Sequence, residues 1–100
     1  MQEQFSRSAM LFGEENIEKL QRSKVAVFGL GGVGGMAAEA LARSGIGSMV
    51  LVDSDTVALS NLNRQIIALH SRIGRPKTEV MRERLMEINP AIRITVYNCF

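Results

Sequence analysis

The run Lys24-Val-Ala-Val-Phe28 leads directly into Gly29-Leu-Gly31-Gly32-Val-Gly34, and this junction constrains the fold more than any other stretch. A continuous apolar run containing β-branched residues and ending at glycine reads as a strand buried on both faces. The glycines satisfy G-x-G-x-x-G between that strand and a helix, and each position has a physical reason. One permits the tight turn, one lets backbone N–H groups approach a phosphate, and one lets the helix pack closely on the strand. The helix N-terminus adds unpaired donors and partial positive charge. A glycine-rich turn used only for packing would look the same in isolation; the flanking elements favour nucleotide binding.

The next elements continue the pattern. Residues 33–44 read as a helix, with Val33, Ala37, Ala40, Leu41 and Ser44 as a narrow face small enough to lie close to a sheet. Gly45 falls where a helix C′ residue is wanted. Met49-Val-Leu-Val-Asp53 is a second buried-strand candidate, completing a strand–helix–strand unit whose crossover is expected to be right-handed. Residues 54–75 are polar and irregular, with one helical turn expected around Gln65–Leu69. Pro76 suits the first turn of a further helix, in which Met81, Leu85 and Ile88 align and which Asn89-Pro90 stops. Residues 92–97 alternate as a third strand. Upstream, residues 10–23 suggest a leading helix, with Glu14, Glu15 and Glu18 where the dipole favours anions. The fold class is therefore α/β: the N-terminal half of a Rossmann-like doubly wound sheet, parallel βαβαβ with a leading helix.

Composition removes several alternatives. An apolar share of 46% with a net charge of +2 is incompatible with a disordered chain. That charge is too weak to argue for nucleic acid alone, although the pI of 9.1 leaves it open. The single cysteine excludes an intramolecular disulfide framework and a self-contained cysteine zinc site, so no metal ligand set is assigned. Residues 25–42 superficially approach a membrane span, but five glycines and Glu39 argue for a soluble chain without one. The N-terminus lacks a signal-peptide pattern, and one thiol agrees with a reducing cytoplasm. Cys99 is expected to be a buried structural residue, His70 a surface or packing residue, and the six Met core filler.

Asp53 ends the second strand, 22 residues after Gly31, where a carboxylate can accept both ribose hydroxyls of a nucleotide. A strand-end turn former would also fit there, and Asp55 reads as structural, holding the next loop. To this point an NAD-dependent dehydrogenase and an ATP-using enzyme fit equally. The segment Ser60-Asn61-Leu-Asn63-Arg64-Gln65 then places a hydroxyl, amides and a guanidinium at the edge where ligands sit in such sheets. Lys77, beside Arg75, lies near a helix N-terminus, where a cation is disfavoured by up to about 1 kcal/mol. Bound anions such as a triphosphate would offset that repulsion, so the unfavourable helix position favours phosphate contact for Lys77 over the alternative of two solvated surface charges.

Gly29 to Gly34, Asp53-Ser-Asp55, Ser60 to Gln65 and Gly74-Arg-Pro-Lys77, preceded by Arg7, Leu11 and Gly13, resemble the adenylation core of the ThiF/MoeB, ubiquitin-activating-type superfamily. The similarity covers nearly the whole chain. Within that superfamily, residues 38–47 and 63–69 most resemble the branch that dehydrates threonylcarbamoyladenosine in tRNA. The resemblance implies ATP-dependent activation of a carboxylate as an acyl-adenylate, with magnesium as cofactor and pyrophosphate leaving. It places Gly29, Gly31, Gly32 and Gly34 against the nucleotide and Asp53 on the ribose. Ser60, Asn61 and Arg64 would line the phosphate site, with Lys77 on the phosphates, and Arg7 would reach the neighbouring subunit's ATP in a homodimer. It also implies a tRNA substrate in the cytoplasm, or a sulfur-carrier protein or cysteine desulfurase as partner. Residues 1–100 would be the N-terminal, ATP-binding part of one adenylation domain, expected to bind ATP weakly and catalyse nothing alone. The alternatives are the NAD-binding half of a dehydrogenase, a carrier-protein activator, and a non-catalytic nucleotide-sensing module.

Overall fold

The computed structural model describes residues 3–5, 9–11 and 13–99. Its framework is a parallel sheet of β1 (Lys24–Phe28), β2 (Ser48–Val52) and β3 (Arg93–Tyr97), in that order across the sheet. The register aligns Phe28 with Val52 and Val52 with Tyr97. Helix α1 (Glu14–Gln21) precedes the sheet, α2 (Gly32–Ser44) links β1 to β2, and α3 (Lys77–Ile88) links β2 to β3. Gly13 caps α1 with φ 86°, which breaks the single leading helix expected from the sequence into helical residues 9–11 and α1.

The core lies where α2 and α3 cover the sheet, and Leu30, Met49, Leu51, Met81 and Leu85 are completely buried there. Full burial of side chains such as Met81 and Leu85 contributes about 2 kcal/mol each. The face of α2 differs from the expected one. Gly35, Ala38 and Ala42 are buried, whereas Val33 is 85% exposed and Ala37, Ala40 and Ser44 also face outward. The reason is proximity: a Cβ on Gly35 would come 2.9 Å from the Leu30 carbonyl oxygen, so the helix uses its smallest residues to reach the turn beneath it.

β2 is buried on both faces, with Ser48 and Val52 at 9% and 8% exposed, but β1 and β3 are not. Residues 25, 27, 49, 51, 94 and 96 join the core, whereas Phe28 and Tyr97, on the other face, are 76% and 54% exposed. Right-handed crossovers running in one direction across a sheet put both helices on the same side, which leaves the far faces of β1 and β3 uncovered among the described residues. Cys99 follows the last strand and is exposed rather than buried. Of the methionines, Met49 and Met81 fill the core, but Met10, Met36 and Met86 are exposed. Of the helical turn expected at residues 65–69 only one hydrogen-bonded turn forms, Ala68 N donating to Gln65 O at 3.0 Å; short 3-10 turns lie on either side, at Leu59–Asn63 and His70–Arg72. Among the described residues no helix is long and apolar enough to cross a membrane.

Glu39 ties the two core helices together, accepting from Arg84 Nε of α3 at 2.5 Å and from Arg43 Nε of its own helix at 3.3 Å. The Arg84 hydrogen bond holds the Glu39 carboxyl below the ordinary 4.5, against the upward push of burial. A carboxylate with a lowered folded pKa stabilises the protein above its unfolded pKa and loses that stabilisation as pH falls through the folded value. Glu39→Gln should therefore cost up to about 1 kcal/mol at pH 7, with the difference shrinking in denaturant titrations as pH falls below 4.5 and through the lowered folded value. An equal deficit across that range would show that the ion pair contributes nothing.

Candidate nucleotide-binding site

The site forms where β1 stops. Gly29 turns the chain with φ 88° and donates its N–H to the Val52 carbonyl at 2.8 Å, fixing the turn to the end of β2. Gly31 is the N-cap of α2 and brings no capping side chain. Hydrogen bonding at this end begins with Gly35 N donating to Gly31 O at 3.1 Å, so the preceding amides point outward as a ready anion site. Gly34 supplies the close approach. A Cβ there would lie 1.9 Å from the Gly29 carbonyl oxygen.

Asp53 takes the turn-forming role considered for it and adds a second contact. Its Oδ1 accepts the Asp55 N–H at 2.7 Å, as a strand-end turn former does. Its Oδ2 accepts the Leu30 N–H at 2.7 Å, clasping the glycine turn to β2. An ionised carboxylate has about four acceptor positions, so this half-buried group keeps capacity for two hydroxyl donors.

The loop after Asp53 folds back through a short antiparallel bridge between Thr56 and Pro76. Val57 N donates to Arg75 O at 2.9 Å, Gly74 N to Val57 O at 2.8 Å, and Lys77 N to Asp55 O at 3.0 Å. Asp55 thus holds the loop, as its sequence position suggested, and pulls the start of α3 to the end of β2. The Lys77 side chain is only 7% exposed, and its Nζ lies 3.9 Å from Asp55 Oδ2, on a side chain that is 72% exposed. A buried cation at a helix N-terminus with so distant a counter-charge is an electrostatic liability that a bound anion would relieve. Arg75 is not available for that role: it donates to Glu83 from Nη1 at 3.1 Å, with Nη2 on the other oxygen, which raises its pKa and lowers that of Glu83.

The remaining expected residues divide. Arg64 is exposed and folds onto its own loop, Nη1 donating to Ser60 O at 3.1 Å and Asn63 Oδ1 at 3.0 Å. Asn61 is buried, and its Oδ1 accepts the Ala58 N–H at 2.8 Å, an internal cap for the 3-10 turn; Ser60 is exposed. Gly29 to Gly34 and Asp53 meet through the Leu30–Asp53 hydrogen bond, Lys77 lies against Asp55 just beyond the same strand end, and the Arg64 loop reaches the turn through Gln65, which lies against Gly31. Arg7 lies outside the described residues. Sequence reasoning missed Leu30 as the partner of Asp53, and Thr78, which is fully buried and donates to Asn98 beyond β3. No local pattern marks such pairs. A cavity of ≈ 420 Å³ lined by Phe5, Gly47, Asn89 and Arg93 opens at the opposite, N-terminal edge of the strands and shares none of these residues.

The chain matches the profile of the ThiF family over residues 5–100. It is 49% identical to the tRNA threonylcarbamoyladenosine dehydratase of Bacillus subtilis (strain 168) over 100 residues, covering 100% of this chain and 39% of that protein. It is 45% identical over 87 residues to the molybdopterin-synthase adenylyltransferase of Escherichia coli (strain K12), covering 87% of this chain and 35% of that one. The crystal structure of E. coli tRNA N6-threonylcarbamoyladenosine dehydratase in complex with ATP superposes with a TM-score of 0.94 at 47% identity, over 97% of this chain and 40% of that one. The chain thus spans about two fifths of the length of such relatives.

Proposed function

The chain belongs to the ThiF family, and on that premise we propose that it forms the N-terminal, ATP-binding part of an adenylation domain that activates a carboxylate. The observation that carries this reading is the buried Lys77, facing an exposed carboxylate 3.9 Å away at the edge where the α2 N-terminus stands uncapped. A triphosphate supplies the charge that both features lack. The α2 amides would receive phosphate oxygens, Asp53 the ribose hydroxyls, and Gly32, beside which a Cβ would meet nothing within 4 Å, leaves room for the nucleotide. A carboxylate oxygen then attacks the α-phosphorus, the bond to the bridging oxygen breaks, and pyrophosphate leaves with that oxygen. Charge grows on the phosphoryl and leaving oxygens, so fixed cations such as Lys77, and Arg64 once swung from its loop, supply most of the stabilisation. Magnesium bound with the nucleotide would neutralise the charge that develops on its phosphates; among the described residues no cluster of three His, Cys, Asp or Glu could hold the ion by itself.

For the acyl substrate we favour the threonyl carboxylate of threonylcarbamoyladenosine in tRNA, which cyclises once activated, expelling AMP for a net loss of water. The 49% identity to the B. subtilis dehydratase supports it. The 45% identity to a molybdopterin-synthase adenylyltransferase supports a second reading, the C-terminus of a carrier protein, with a sulfur-carrier or desulfurase partner. A homodimer in which Arg7 reaches the partner subunit's nucleotide, and a cytoplasmic location, complete the proposal. The test uses the intact protein. ATP with magnesium, but not NAD, should raise its melting temperature, and labelled pyrophosphate should exchange into ATP only with tRNA bearing the modified nucleoside. Exchange with a carrier protein instead would favour the second reading, and stabilisation by NAD alone would overturn both.

A further inference from the structure

The cavity at the N-terminal edge of the strands has a built interior that the nucleotide site does not use. Three helices end on it: α1 at Gln21, α2 at its cap Gly45 and α3 at its cap Asn89. Each helix C-terminus carries partial negative charge, so together they favour a cationic group. Asn89 is only 3% exposed. Its Nδ2 donates to Ala42 O at 3.5 Å and Ile46 O at 3.4 Å, which ties the end of α3 to the end of α2. Its Oδ1 is buried with no hydrogen-bond partner among the described residues. Exchanging the two ends of the amide would set Oδ1 against those two carbonyl oxygens, so the acceptor end is fixed where it stands. A buried acceptor without a donor is costly, and an N–H group seated in the cavity would offset that cost.

The opposite charge stands at the same cavity. Arg93 opens β3 and is exposed; its Nε donates to Ser48 Oγ at 3.3 Å, and both Nη groups lack a partner among the described residues. The remaining wall is apolar, from Phe5, Ile46 and Ala91. Phe5 is buried, and its neighbour Gln4 anchors that segment by donating from Nε2 to Ile88 O at 2.7 Å.

We propose that this cavity of ≈ 420 Å³ binds an α-amino acid as its zwitterion. The ammonium faces Asn89 and the three helix ends, the carboxylate lies on Arg93, and an aliphatic side chain rests on Phe5, Ile46 and Ala91. Volumes of this order hold small ligands. A bare anion would face the negative helix ends and a bare cation would face Arg93, whereas a zwitterion meets both. A carboxylate can take both Nη groups of an arginine at once, and these are the atoms that Ser48 leaves unused. The cavity shares no residue with the nucleotide site, and binding there does not depend on the adenylation reading.

The test is calorimetry on the intact wild-type protein with L-leucine, with leucinamide, which lacks the carboxylate, and with isocaproate, which lacks the ammonium. L-leucine should bind and raise the melting temperature. Each truncated ligand should bind about tenfold more weakly or worse, the loss expected when a charged hydrogen bond is removed. Arg93→Met should weaken L-leucine to the level of leucinamide and leave leucinamide unaltered. Ala91→Trp, which fills the cavity from an exposed position, should abolish binding while the unliganded protein melts as the wild type does. No binding of L-leucine, L-valine or L-methionine to the wild type would overturn the proposal, as would equal affinities for L-leucine and both truncated ligands. Undiminished L-leucine affinity in Ala91→Trp would put the bound amino acid elsewhere and overturn it as well. If a variant fails to fold, the ligand series on the wild type decides alone.

Discussion

Gly34→Ala is expected to lower the stability of the protein by about 3 kcal/mol or more, because overpacking against fixed backbone costs at least as much as overpacking a core. For a domain of about 150–250 residues that corresponds to a fall in melting temperature of roughly 6–12 °C. The new Cβ would lie 1.9 Å from the Gly29 carbonyl oxygen, and Gly29 cannot retreat. It is already held at φ 88° with its N–H on Val52 O at 2.8 Å. Either α2 lifts from β1 or the turn loses its hold on β2, and both open the core around Leu30. Gly32→Ala makes the matched control. A Cβ there meets nothing within 4 Å, and the residue begins α2, so its fold should be as stable or more stable by about 0.5 kcal/mol. Its ATP affinity should nevertheless fall, since the open space would be filled. Calorimetric melting and ATP titration of both variants separate the two glycine roles. Similar melting temperatures for both would show that the close approach at residue 34 does not matter.

Lys77→Met should reduce pyrophosphate exchange about 100-fold or more, the usual consequence of removing a fixed donor from a transition-state charge, while the fold survives. Methionine fills nearly the same volume and removes a buried charge whose counter-ion lies 3.9 Å away, so stability should hold or improve. That combination distinguishes a residue kept for an anion from one kept for packing. Stable protein with exchange within threefold of wild type would remove Lys77 from the site. Arg64→Ala should give a smaller loss, because the guanidinium of Arg64 is exposed and already engaged with Ser60 and Asn63.

The parts of this molecule that could be read from residue order alone are those whose cause is local. Apolar runs located β1, ending at Gly29, and β2, ending at Asp53, and the Met81–Leu85–Ile88 spacing located α3; each depends only on local pattern. The glycine spacing likewise marked the turn, since positive φ at residue 29 and close approach at residue 34 act between near neighbours. Where a side chain points once several partners compete was not legible. Val33 and Ala37 were expected on the inner face of α2, but Gly35, Ala38 and Ala42 lie there, and the choice fell to the carbonyl of Leu30 below. Asp53 was identifiable as a site carboxylate, but its bond to Leu30 N joins residues 23 apart.

By itself, then, the sequence determined a parallel α/β order, a phosphate-sized turn, and a short set of polar residues able to serve it. Tertiary structure decided their states. It buried Lys77 by bridging residue 56 to residue 76, paired Arg75 away with Glu83, laid Arg64 on its own loop, and pressed Gln65 against Gly31. It also left Phe28 and Tyr97 exposed on the flanking strands of one sheet face, because both crossovers lie on the other side. The physical reason is one of range: periodicity and glycine conformation act over a few residues, whereas burial and charge pairing depend on which distant segments fill the remaining space.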